Sequence, residues 1–333
     1  MFNGYLKLGF ALLLVLAIAI AFQVVGGGLV AVYTSIKGVG LFQASAKLQL
    51  VMNGVAQIVV MIGLPLLLAK ILKQRFVTIF RLEGIRSTPA IAYVLAVPII
   101  FVSQFLGQGF VTLWEKVLMR MPALYQTVKS FEKLVEELTK GLASSAKTIP
   151  DLLLLILLIA VIPAIAEEMT FRGFTQTNIE RSGQIKPRPI AAIFWTSVAF
   201  AIFHLELIEL PGLFILGATL GYLSYRTNNL LVGSVAHAAN NGAIVILLFL
   251  IPDVEHSKQA STLIGSGSFT TLEGLLIIAL TLPLFLGMMY LFHRVTEAIP
   301  ERENPMLERT QLEEPLLVLS VADLSHPSDN IIY

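Results

Sequence analysis

The sequence predicts an all-α fold, a polytopic membrane helix bundle of about eight transmembrane helices. Of its 333 residues, 56% are hydrophobic and only 14% charged, against about 25% charged in an ordinary soluble domain. The apolar residues are gathered into runs near the roughly 20 residues that one bilayer crossing needs. The basic residues cluster in alternate connections between those runs, as they do beside cytoplasmic membrane faces.

Taken in order, the runs place helices at roughly 8–34, 48–72, 89–113, 150–172, 189–209, 211–226, 230–251 and 270–293, with ends uncertain by a few residues. The first, from Leu8 to about Tyr33, is too long for a cleaved signal peptide and is read as a retained span. Its Gly26, Gly27 and Gly28 are small residues of the kind that let membrane helices approach closely. Lys70, Lys73, Arg75, Arg81 and Arg86 follow the second run; Arg172, Arg181, Lys186 and Arg188 follow the fourth; Arg226 follows the sixth. The opposite connections are poorer in such clusters or hold acids, such as Glu206, Glu209, Asp253 and Glu255. Both termini are therefore expected on the cytoplasmic side of an integral, multi-pass membrane protein. Between the third and fourth runs, Trp114–Lys147 mixes Lys and Glu with apolar residues and reads as an amphipathic surface helix. The organisation expected is residues 1–147 as three helices plus that segment, 148–293 as a second group of helices, and 294–333 as a flexible cytoplasmic tail rich in Glu, Pro, Ser and Asp.

A net charge of +1 offers no field for nucleic acid, and the partner the apolar runs imply is membrane lipid. No cysteine is present, which excludes disulfides, thiolate metal sites and a cysteine nucleophile.

Function is sought where polar residues interrupt apolar runs, because ionised groups at membrane depth are costly unless paired or wet. Glu167, Glu168 and Arg172 close the fourth run. Glu168 and Arg172 are four apart, in the order that favours an intrahelical ion pair. Glu167 lies about 100° round the helix with no local partner. His204 follows Phe200 by four residues, and Asn241 follows His237 by four, so each pair shares a helical face. His256, His293 and His326 fall in a loop, at a span end and in the tail. A lone membrane histidine, amide or ion pair is commonly structural. Acid, base, amide and guanidinium together, in successive helices, form a set that packing does not need.

Peptide hydrolysis does need it: a water, a base to deprotonate it, and donors for the negative oxygen that develops. An apolar pocket raises a carboxylate's pKa toward the range useful for a base, whereas pairing with arginine keeps one ionised. Glu167 is accordingly assigned as base, Glu168 and Arg172 as an orienting pair, and His204, His237 and Asn241 as ligands of the water, the oxyanion or a metal.

The segments Glu167-Glu168-Met169-Thr170-Phe171-Arg172, Phe200-Ala201-Ile202-Phe203-His204 and His237-Ala238-Ala239-Asn240-Asn241 resemble the three motifs of the CPBP family of intramembrane endopeptidases, the type II CAAX prenyl proteases and their relatives. The stretch Leu216–Leu230 is similar as well, no motif position departs from the pattern, and the resemblance covers about 150–250. It implies a helical fold with a catalytic centre opening toward the cytoplasm. It also implies cleavage after a lipidated cysteine in some members, and roles in bacteriocin maturation, self-immunity or regulation of surface proteins in many prokaryotic ones. Two further readings stand beside the peptidase: a catalytically silent immunity or scaffold protein, and a proton-coupled transporter. Two mechanisms stay open too. Glu167, His204 and His237 could hold a catalytic zinc, or the same residues could work on a water without metal, which is preferred because Asn241 is a poor zinc ligand and no His-x-x-x-His pair occurs.

Depth counting sets one conflict. At about 1.5 Å per residue, Glu167 and His237 come out roughly 6 and 10 Å from the cytoplasmic face, but His204, counted from Arg188, near 24 Å.

Overall fold

The computed structural model describes residues 5–38, 45–130, 148–182, 188–250 and 269–299. Within them the chain is helical, with no strand. The helices are α1 (Leu8–Lys37), α2 (Lys47–Ile71), the short α3 (Phe76–Ile79), α4 (Ala90–Leu118), α5 (122–130), α6 (Ile149–Ser182), α7 (Arg188–Phe203), α8 (Leu210–Thr227), α9 (Leu230–Leu250) and α10 (Thr271–Val295). Six of them, α1, α2, α4, α6, α9 and α10, are long and apolar enough to cross a membrane. The all-α membrane class is thus as expected. Of the eight crossings expected, six meet the length and hydropathy of a span among the described residues, while α7 has only 16 residues and α8 does not meet the same criterion.

Local chemistry sets the helix ends. Thr148 with Asp151, and Thr270 with Glu273, form reciprocal capping boxes at the starts of α6 and α10, which satisfy backbone donors that have no helical partner. Gly38 closes α1 in the left-handed region, at φ 65°, where glycine has no Cβ to clash.

Two spans carry a π-helical turn just before a proline: Gln57–Ile62 before Pro65 in α2, and Ile156–Val161 before Pro163 in α6. Proline has no N–H for the carbonyl four residues earlier. Those carbonyls belong to Met61 and Ile159, and both are taken by other helices: Thr170 Oγ1 donates to Met61 O at 2.5 Å and Asn241 Nδ2 to Ile159 O at 3.4 Å. The prolines thereby tie α6 to α2 on one side and to α9 on the other.

The main core gathers Val15, Ile18 and Phe22 of α1, Met61 of α2, Ile99 and Ile100 of α4, Phe171 of α6, Phe200 of α7 and Val232 of α9. Large apolar side chains also lie exposed on the outer faces, among them Leu13, Leu153 and Leu280, as lipid contact requires. Close helix approach falls elsewhere than expected. Only Gly26 of the triplet faces another helix, with Ala56 at an ordinary 3.6 Å from a built Cβ, and Gly27 and Gly28 face open space. The tight crossings are Gly107 of α4 on Gly212 of α8 and Gly109 of α4 on Gly274 of α10.

The Trp114–Lys147 segment begins inside α4, whose last turns include Trp114. The next helix, α5, turns back onto α4: Tyr125 Oη donates to Glu115 at 2.9 Å and Lys129 pairs with the same carboxylate at 3.1 Å. Residues 131–147, the 300–333 tail, His256 and His326 lie outside the described residues.

Candidate active site

The site is built on the middle of α6. This helix does not end near residue 172 as expected but runs to Ser182. The apolar pattern stops at Gly173, yet Thr175, Gln176, Thr177 and Asn178 are fully buried because each finds a polar partner inside the bundle. Asn178, for example, accepts from Leu6 N at 3.0 Å and from Gln74 Nε2 at 2.6 Å. Arg172 is therefore buried mid-helix rather than part of a loop, and Arg181 lies in the last turn of the helix.

The extension removes the assumption behind the depth conflict, that α6 ends near Arg172. Ten residues beyond Arg172 carry α6 about 15 Å further, and α7 starts back from there. It runs down α6 until Phe200 meets Phe171, edge to face at 5.3 Å between ring centres. His204, just past the end of α7, packs on the same Phe200 ring as His237.

Arg172 pairs through NH1 with Glu168 Oε1 at 2.8 Å, the expected i,i+4 ion pair, and donates from NH2 to Gly217 O of α8 at 3.1 Å. Its guanidinium carbon stands 4.3 Å over the Phe200 ring, so the cation meets a carboxylate, a carbonyl and an aromatic face. Glu168 is 0% exposed, and an ion in so dry a place persists only when paired and hydrogen-bonded.

His237 of α9 sits between the two acids. Its Nδ1 is 3.3 Å from Glu168 Oε1 and its Nε2 is 3.7 Å from Glu167 Oε2. The first distance admits a hydrogen bond donated by Nδ1–H, and the second is too long for one. A chain of order thus runs from Arg172 to Glu168 to His237, and it fixes the ring so that Nε2 faces Glu167. Gly233, one turn before His237, makes this approach possible: a Cβ there would strike the Ser224 hydroxyl and come within 2.8 Å of Glu168 Oε2.

The remaining two candidates flank the cluster. His204 donates Nδ1–H to Phe200 O at 2.8 Å, and its ring packs on Phe200 and Phe203 with centres 4.6 and 5.6 Å apart. Phe200 also packs on His237, at 6.1 Å, so one aromatic ring touches both imidazoles. Asn241 holds the Ile159 carbonyl and accepts from Asn240 Nδ2 at 3.3 Å. His293, at the far end of α10, pairs instead with Tyr222 Oη at 2.9 Å.

A zinc ion needs three or four donors at about 2.0–2.2 Å. Among the described residues, no three His, Asp, Glu or Cys side chains are grouped to hold one. Glu168 is engaged by arginine, and Glu167, His204 and His237 are not grouped as a zinc-ready set among the described residues.

Sequence reasoning missed Arg81 altogether as a site neighbour and counted it as a loop charge. It is fully buried: its Nε donates to Arg172 O at 3.0 Å, its NH2 pairs with Glu180 at 2.7 Å, and its own carbonyl accepts from Leu230 N. It also missed Gln176, which donates to Gly221 O at 3.1 Å. The glycines at 217, 221 and 233 were the available signal, since carbonyls and close contacts of this kind need small residues.

Residues 149–243, which hold every residue of this cluster except Arg81, match the family model described as Type II CAAX prenyl endopeptidase Rce1-like. The chain has no match among curated proteins and none among solved structures.

Proposed function

We propose, from the premise that residues 149–243 are a domain of the Type II CAAX prenyl endopeptidase Rce1-like family, that this chain is a CAAX-type intramembrane endopeptidase working through a glutamate-activated water. That family is a family of proteases, and the substrate class it brings is a peptide or protein. The observation that carries the mechanism is the disposition of His237. Its Nδ1 is engaged by Glu168 while its Nε2 stands 3.7 Å from Glu167 Oε2. With Nδ1 protonated, Nε2 and the Glu167 carboxylate are two acceptors that cannot bond each other but can share the two hydrogens of one water.

In the reaction, Glu167 takes one proton as the water oxygen bonds to the scissile carbonyl carbon. The carbonyl oxygen becomes an oxyanion, for which the Asn241 amide, one turn along from His237, is the candidate donor. As the oxyanion collapses and the C–N bond breaks, the proton held on Glu167 passes to the departing nitrogen. His204 presents Nε2 as an acceptor for a substrate N–H, since the water's two hydrogens are taken by Glu167 and His237. Arg172 and Glu168 keep His237 in the required tautomer.

A lipidated substrate is supported by an apolar cavity of about 500 Å³ between α1 and α7, lined by Leu12, Leu16, Phe171, Trp195 and Phe203. Phe171 and Phe203 are the same rings that pack on Phe200 and His204, so a chain lying in the cavity reaches the back of the catalytic cluster.

The test is Glu167→Gln, which keeps shape and removes the base. With a quenched fluorescent peptide bearing a prenylated Cys-aliphatic-aliphatic-X end, turnover is expected to fall by about 10³-fold with helix content unchanged. Cleavage within tenfold of the native rate overturns the mechanism, and a biological effect that survives the substitution points to binding rather than catalysis.

A further inference from the structure

One polar side chain near this cluster has no task in the reaction just described. Gln57 lies in α2, in the middle of an apolar span, and is only 6% exposed. Its Oε1 is buried without a hydrogen-bond partner among the described residues. Leaving a buried amide oxygen unpaired costs about 1–3 kcal/mol, and a leucine at the same position in a membrane helix would carry no such penalty.

Its position is specific. Gln57 opens the π-helical turn of α2, a local widening frequently found at functional sites. On the same side of α2, three residues earlier, Gly54 faces the Leu158 and Ile162 side chains of α6, within 2.9 and 3.8 Å of a built Cβ. Four residues later, Met61 gives its carbonyl to Thr170 of α6. Gln57 therefore stands opposite the stretch of α6 between Ile162 and Thr170, which is the stretch that carries Glu167 and Glu168. The ends of this helix pair are fastened by packing and by a hydrogen bond, while the polar residue between them is not.

We infer that Gln57 binds the backbone of the substrate peptide beside the scissile bond, accepting a peptide N–H on Oε1 and donating its amide N–H to a peptide carbonyl. This deepens the peptidase reading and rests on it. An extended peptide entering an apolar site brings N–H and C=O groups that must find partners there. Glutamine is suited to this because one planar amide supplies both a donor and an acceptor. Gln57 acts on substrate binding rather than on the proton transfers, so its removal raises KM and leaves kcat nearly intact.

The experiment uses the full chain in detergent or nanodiscs with the same quenched prenylated peptide, and with depsipeptides in which one backbone N–H at a time next to the scissile bond is replaced by ester oxygen. Gln57→Met, of similar length and apolar, is expected to raise KM about tenfold with kcat within twofold. One depsipeptide is expected to weaken binding to the native protein by a similar factor and to cause no further loss in Gln57→Met. Unchanged KM in Gln57→Met, a fall confined to kcat, or depsipeptide losses equal in both proteins at every position overturns the inference. If Gln57→Met does not accumulate, Gln57→Asn, polar but one carbon shorter, is judged by the same criteria. Glu167→Gln is run alongside: if it cleaves at the native rate, the peptidase mechanism fails, and that failure is separate from any result at position 57.

Discussion

Arg172 and Arg81 meet the same physical problem in neighbouring places. Each is at most 1% exposed, each pairs with one carboxylate of α6 and each donates to one backbone carbonyl: Arg172 to Glu168 and Gly217 O, Arg81 to Glu180 and Arg172 O. They differ in what the carboxylate does next. Glu168 also meets His237, so Arg172 fixes an imidazole that faces Glu167. The Arg81–Glu180 pair joins α6 to the segment before α4 and, through the Arg81 carbonyl, to the start of α9. On the mechanism proposed, a buried ion pair in this protein is a clip by default and enters the chemistry only where its carboxylate is shared.

Replacing each arginine sharpens that distinction. Arg172→Met is expected to lower turnover of the prenylated peptide by about 10³-fold even in the folded fraction, because the order of Glu168 and His237 is lost. Gly233→Ala is expected to cost about 10- to 100-fold in kcat, since a methyl group displaces the Glu168 carboxylate, with a stability loss of about 1–3 kcal/mol. Arg81→Met is expected to destabilise the fold by about 3 kcal/mol, as breaking a largely buried pair does, while activity per folded molecule falls less than tenfold. Thermal unfolding in detergent with specific activity measured on the folded fraction separates these effects. Turnover abolished in well-folded Arg81→Met would erase the distinction. Smallest of all, Gly26→Ala is expected to leave activity unchanged, because the added methyl group meets only Ala56 at 3.6 Å.

The positions of the long helices were legible because uncharged apolar runs near 20 residues are rare outside membrane spans. So was the Glu168–Arg172 pair, which is local. The true end of α6 was not, because Thr175 to Asn178 read as the polar start of a loop until their partners on Gly221, Leu6 and Gln74 are seen. That omission underlies the depth conflict at His204. Arg81 was read as surface charge for the same reason: its carboxylate is 99 positions away. The carbonyls of Ile159 and Met61 were within reach of sequence reasoning, since each stands four residues before a proline. What could not be read is which neighbouring side chain would claim them.

Central to the chemistry proposed is that Glu167 and His237 act together on one water. The direct test is a double-mutant cycle of Glu167→Gln and His237→Ala, read as single-turnover cleavage of the prenylated peptide at saturating protein. Groups acting as one unit are expected to lose about 10³-fold singly and little more together. Losses that multiply in the double variant would show that the two residues act independently and would contradict it.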